Sequence, residues 1–108
     1  MLDDNQFRTA ADNALETLQR ALEAATDYHE FDVDSKEGAL AIEFEEPPAK
    51  FVISPNSPVK QIWVSARVRS FKLDWNENLK AFALPDGRTL TRLIADVMGE
   101  QLGVKVKL

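Results

Sequence analysis

The sequence has no cysteine and a single histidine, His29. Without cysteine there is no disulfide, no thiolate metal site and no cysteine nucleophile, and the absence is compatible with an intracellular protein. One imidazole and no thiolate are too few for a tight zinc or copper site. A serine triad would need His29 as its base, and no serine sits in a nucleophile elbow. Only four glycines are present, and none builds a phosphate-cradling loop. No apolar run approaches the length of a membrane span. The opening Met1-Leu2-Asp3-Asp4-Asn5 is acidic, which fits neither a secretory signal nor a transit peptide. Basic residues form no stripe with interleaved aromatics, apart from the short Arg67–Lys72 stretch. With a net charge of −5, neither nucleic acid nor membrane is expected as a partner.

What is present suits one folded domain over residues 1–108, because 44% of the residues are hydrophobic. The charge is divided unevenly. Residues 1–46 hold thirteen acids against three bases, a net of −10, while residues 47–108 hold five against ten, a net of +5. Such asymmetry points to a cationic partner for the first half, either a metal ion or a basic protein surface. A merely solubilising acidic helix would leave the same trace.

Phe7, Ala11, Ala14, Leu15, Leu18, Leu22 and Ala25 recur at steps of three or four, which predicts a helix from about Asp4 to about Ala25. Asp4 is its candidate N-cap. Phe31 and Val33 alternate with Glu30, Asp32 and Asp34, and Leu40, Ile42 and Phe44 alternate with Ala41, Glu43 and Glu45. Both segments read as half-buried strands joined by a Glu37-Gly38 turn. Pro47-Pro48 breaks the next connection. Further strands are expected at Lys50–Ser54, Val59–Ser65, Ser70–Trp75 and Leu79–Leu84, separated by turn-forming residues at 55–58 and 76–78. After Asp86-Gly87, a second helix starts at a Thr89 cap, carries the stripe Leu90, Leu93, Ile94, Val97, Met98 and Leu102, and stops at Gly103. The alternating tail Val104–Leu108 is expected to pack against the body. A run of strands between two helices predicts an α+β fold of order α-β-β-β-β-β-β-α. Two helices cover one face of an antiparallel sheet of about six strands, and the other face stays open.

Two features carry candidate chemistry. If Ile62 and Val64 face the helices, then Gln61, Trp63 and Ser65 face water, and an exposed tryptophan on an open sheet marks a contact surface. The opposite register would bury Trp63, and alternation alone does not choose. Trp75 reads as a core or rim anchor. The other feature is carboxylate. Glu16, Glu23, Asp27, Glu30, Asp32 and Asp34 fall within one short segment, and period two puts Glu30, Asp32 and Asp34 on one strand face. If this strand is the edge strand beside the first helix, these acids form a ridge of oxygen donors. Such a ridge suits weak, largely hydrated binding of ferrous or similar hard cations, and it attracts a basic protein. A charged edge that blocks sheet-to-sheet pairing has the same pattern.

Val59-Lys60-Gln61-Ile62-Trp63-Val64-Ser65, followed by Lys72-Leu73-Asp74-Trp75, resembles the signature of the frataxin family. Phe7 with Ala11-Asp12, the segment Gly38–Phe44 and the Asp86-Gly87 turn fall in matching places. The resemblance runs from about Phe7 to Gly103, and the first half looks most like the bacterial, CyaY-like branch. It implies a frataxin-like α-β sandwich and a regulator or adapter of iron–sulfur cluster assembly that contacts a cysteine desulfurase and a scaffold protein. It also implies weak, reversible binding of iron, Fe2+ or Fe3+, and no catalytic residues. By position, Glu23, Glu30, Asp32 and Asp34 match the family's acidic ridge, with Asp12 and Glu16 further along the helix and Asp27 nearby. Asp12, Glu23, Glu30 and Asp32, with Gln61, Trp63 and Lys72, match partner-contacting positions. A monomer that oligomerises with iron is expected, in the cytoplasm or, for a processed eukaryotic form, the mitochondrial matrix. Gln19, Arg20, Ala24 and Thr26 stand where bacterial members are often acidic, so the ridge is thinner here. Ser54 replaces a common Asn, Lys72 an Arg of mitochondrial members, and Ala81-Phe82 the usual third Trp and its neighbour. Two other readings remain: a metal-independent interaction module, and a ferroxidase, which the lack of a paired Glu-x-x-His motif speaks against.

Overall fold

The computed structural model describes residues 2–108. Helix α1 spans Asp4–Ala25 and buries Phe7, Ala11, Leu15, Leu18, Leu22 and Ala25 on one stripe. Its cap is Asp3 rather than Asp4. The Asp3 carboxylate accepts from the Gln6 backbone N–H at 2.7 Å, and the Gln6 side chain accepts from the Asp3 N–H at 2.9 Å. This reciprocal box satisfies two otherwise orphaned donors. Asp3→Ala should therefore lower stability by about 1 kcal/mol in thermal or urea melts. An unchanged midpoint would mean that the box forms no net stabilising contact.

Six strands follow: β1 (Asp32–Lys36), β2 (Ala39–Glu45), β3 (Pro48–Asn56), β4 (Gln61–Ala66), β5 (Arg69–Asn76) and β6 (Ala81–Ala83). They form one antiparallel meander in sequence order, so β1 and β6 are the edges. Helix α2 spans Leu90–Leu102, capped by the Thr89 side chain and ended by Gly103 in a left-handed conformation, φ 70°. The layout is the expected one, and several boundaries differ. Glu30 lies before β1, because the His29 N–H still bonds the Ala25 carbonyl and the chain is leaving α1 there. Proline 48 opens β3 instead of ending a loop, at a first-strand position that tolerates the missing N–H. A 3₁₀ turn at Ser57–Val59 and a left-handed Lys60 delay β4 by two residues. The Asn76 side chain accepts from the Leu79 N–H and shortens β6 to three residues. The Glu37-Gly38 turn has both residues at positive φ, the geometry that matches strand twist in a two-residue hairpin.

One core lies between the helices and the sheet. Phe7 meets Phe82 edge-on, Phe51 stacks obliquely on Phe44, and Phe31 closes the β1 end. Trp75 is half-buried against Phe82, as an anchor residue should be. Its buried indole N–H meets no acceptor in hydrogen-bond geometry. The Lys80 ammonium, 3.2 Å away, holds the Glu77 carboxyl below its ordinary range. The tail turns back along α2 and buries Val106 to 6% exposure. Glycine at 99 permits this return, since a β-carbon there would sit 3.1 Å from the Val104 carbonyl oxygen. At the same end, buried Gln101 donates to the Pro47 carbonyl at 2.7 Å and ties the β2–β3 turn to α2.

Candidate functional site

Strand pairing decides which side chains share the open face. Ile42, Ile53, Ile62 and Leu73 are buried toward the helices, so the residues between them point away. Trp63 is therefore on the open face, 37% exposed, which settles the register that alternation left undecided. It is held in place. The indole N–H donates to the Gln61 side-chain oxygen at 2.9 Å, and the Gln61 amide donates to Asp74 at 3.0 Å from the neighbouring strand. The Lys72 ammonium lies 4.9 Å from the ring centroid, a cation–π contact. An aromatic group ordered before binding loses little conformational freedom on docking. Around it the surface is shallow, because Ala41, Val52, Ser54, Ser65 and Ser70 share the face. A flat surface with one fixed aromatic suits a protein partner better than a small substrate.

The acidic candidates lie along the β1 edge of the same face. Asp32 sits directly opposite Glu43, and Asp34 opposite Ala41. Like charges facing across a ladder are unfavourable by a few tenths to about 1 kcal/mol. Lys50 is the basic residue that approaches this pair, 3.9 Å from Glu43. Glu30 and Asp32 line a shallow cleft of about 580 Å³ with His29, Glu43, Glu45 and Glu46. Sequence reasoning missed the last three as site residues. The signal was available: a two-residue turn at Glu37-Gly38 fixes the register, so Asp32 must face Glu43.

The helix contributes less than expected. Asp12 and Glu16 border a smaller cleft against Ser35 and Gly38–Leu40, which links the α1 acids to the β1–β2 hairpin. Glu16 is paired with Arg20. Glu23 and Asp27 are exposed near the end of α1 and line neither cleft. Among the described residues, no three His, Asp or Glu side chains converge as a ligand cage. The arrangement is an extended negative edge continuous with a basic and aromatic centre, about three strand spacings or roughly 14 Å from β1 to β4. Trp63→Ala should weaken binding to a protein seated on this face by roughly thirtyfold, the loss typical of a central aromatic anchor. Calorimetric titration of the variant and the unmodified chain measures it, with melting curves to confirm that an exposed position leaves the fold intact.

A family model described as a frataxin-like domain matches residues 1–104. The chain is 29% identical over 108 residues to the iron-sulfur cluster assembly protein CyaY of Cupriavidus metallidurans, spanning 99% of this chain and 96% of that protein. It is 31% identical over 99 residues to the mitochondrial frataxin of Caenorhabditis elegans, spanning 87% of this chain and 73% of that one. A solved structure of frataxin from Psychromonas ingrahamii superimposes with a TM-score of 0.73, over 98% of this chain and 97% of that one, at 18% identity; this likeness is one of fold.

Proposed function

This chain belongs to the frataxin-like family, and from that premise we propose that it serves iron–sulfur cluster assembly as an adapter without catalytic residues of its own. Its partners in this reading are a cysteine desulfurase and the scaffold protein on which clusters are built, in the cytoplasm. The observation that carries the reading is the open sheet face, where an acidic edge with Lys50 as its one near base and a pre-ordered tryptophan lie on one flat surface. The acidic edge steers a basic partner into encounter, and the Trp63 centre holds the docked complex by contact. Among the described residues no helix is long and apolar enough to cross a membrane.

Iron enters as cargo. Exposed carboxylates supply the oxygen donors that hard cations favour, and Glu30, Asp32 and Glu43 around one open cleft are the residues that would hold the ion. Donors spread along an edge leave most of the ion's shell to water, so affinity is weak and release is easy. A second reading, an interaction module indifferent to metal, draws support from the same spread of carboxylates and from the independent ordering of Trp63.

Steered contacts between exposed charges weaken when salt screens them. Affinity for a cysteine desulfurase should fall at least about tenfold between roughly 50 and 500 mM salt. Absence of binding at the lower salt would reject the adapter reading. Binding insensitive to salt would reject the role of the acidic edge.

A further inference from the structure

The two flanks of α1 differ in kind. The flank toward β1 carries Asp12 and Glu16, whereas the other side carries Thr9, Asn13 and Thr17 at steps of four, all exposed and none charged. Threonine and asparagine are weak helix formers, and exposed mid-helix positions in a chain with 29% charged residues would ordinarily hold Glu, Lys or Arg. Among the described residues, the Thr9, Asn13 and Thr17 side chains make no hydrogen bond that would explain them, whereas Thr26 bonds the Glu23 carbonyl and Thr89 caps α2. A choice that disfavours the helix and has no partner within the fold suggests a partner outside it.

These side chains border a cavity of about 680 Å³ between α1, the start of α2 and β6. Its floor is apolar: buried Phe82 and Leu90, half-buried Ala10 and Ala14, and the Trp75 ring set edge-on to Phe82 at 5.2 Å. Lys80 is the one charged residue on its wall. The volume lies within the range of small-molecule sites, and an apolar floor under a few hydrogen-bonding groups is their usual composition. The cavity opens on the helix side, away from Trp63 and the acidic edge.

We propose that this cavity is a binding site for an uncharged, ring-bearing small molecule, with its apolar body against Phe82, Trp75 and Ala14 and its hydroxyl, amide or carbonyl groups against Thr9, Asn13 and Thr17. The absence of acid from this wall disfavours a cation, and Lys80 is already paired with Glu77 at 3.2 Å, which leaves little to draw an anion and selects a neutral ligand. The site is independent of the docking face and of the role in cluster assembly.

The probe is N-phenyl-1-naphthylamine, a neutral two-ring amine that fluoresces in apolar surroundings, titrated into the intact chain. Saturable emission is expected with a dissociation constant in the tens of micromolar, roughly what a ligand of this size attains in an open site. Asn13→Lys puts a charge on the rim with a better helix former, and Ala14→Leu fills the floor. Each should weaken binding by at least about tenfold, with helical circular dichroism retained. Val68→Ser removes the fully exposed valine at the β4–β5 hairpin tip, a place for adventitious probe, and should leave the titration unchanged. The proposal is overturned by the absence of saturable emission up to about 100 µM probe. Equal affinity in Asn13→Lys and Ala14→Leu, or loss of the signal in Val68→Ser, overturns it as well. So does an acetyl-Val-Thr-Val-Thr-Leu-amide peptide that displaces the probe with higher affinity, which would make the cavity a peptide groove.

Discussion

Exchanging Glu30, Asp32, Asp34 and Glu43 for their uncharged amides should weaken the complex with a cysteine desulfurase by at least about a hundredfold at low salt. Four negative charges leave one edge, and three of the four residues line a single cleft. The loss should fall mainly on the association rate, because exposed charges act by steering before contact. The same variant should melt at an equal or higher temperature. Asp32 and Glu43 face each other across β1 and β2, and removing that repulsion favours the folded sheet. Weaker binding together with undiminished stability is the signature of an edge kept acidic for a partner. Stopped-flow association and thermal melts measure the two halves. A variant that binds normally would show that the acids serve only to block pairing at the sheet edge.

The second large effect concerns the layer that presents this face. Phe51 is fully buried at the centre of the sheet, in ring contact with Phe44, and faces the helices. Phe51→Ala should lower unfolding free energy by about 3–5 kcal/mol, from lost transfer energy and the cavity left behind. For a domain of this size that is a large share of total stability, and the midpoint should drop by well over 10 °C, roughly. Urea unfolding followed by circular dichroism tests it. A change below about 1 kcal/mol would mean that the helices and the sheet do not share one continuous core.

The helices were legible because each carries a single apolar stripe, and α2 also has a stop signal at Gly103. The meander followed from a run of strands with no helix between them. Boundaries failed where local chemistry overrode periodicity: Asp3 outcompetes Asp4 as cap through Gln6, and Lys60 turns left-handed ahead of Gln61. Trp63 was undecidable from alternation, since a strand of six residues fits either face; the bonds to Gln61 and Asp74 are tertiary facts. Of the acids, Asp32 and Asp34 could be read from period two, but Glu43, Glu45 and Glu46 join them only through the hairpin register. Glu23 and Asp27, adjacent in sequence, are not brought into that cleft. The spacing of Thr9, Asn13 and Thr17 on α1 could be read from the sequence, but the groove beside them could not, because its floor of Trp75, Phe82 and Leu90 comes from β5, β6 and α2.

The most direct test is an amide-resolved NMR titration of the isotope-labelled chain with a cysteine desulfurase at low salt. If the acidic edge is the docking surface, line broadening and shifts are expected at Asp32, Asp34 and Glu43 and at the surrounding β1–β2 amides. Added salt should reverse them, and Thr9, Asn13 and Thr17 should stay undisturbed. Perturbations confined to the α1–α2 groove, or none along the β1 edge, would contradict that role.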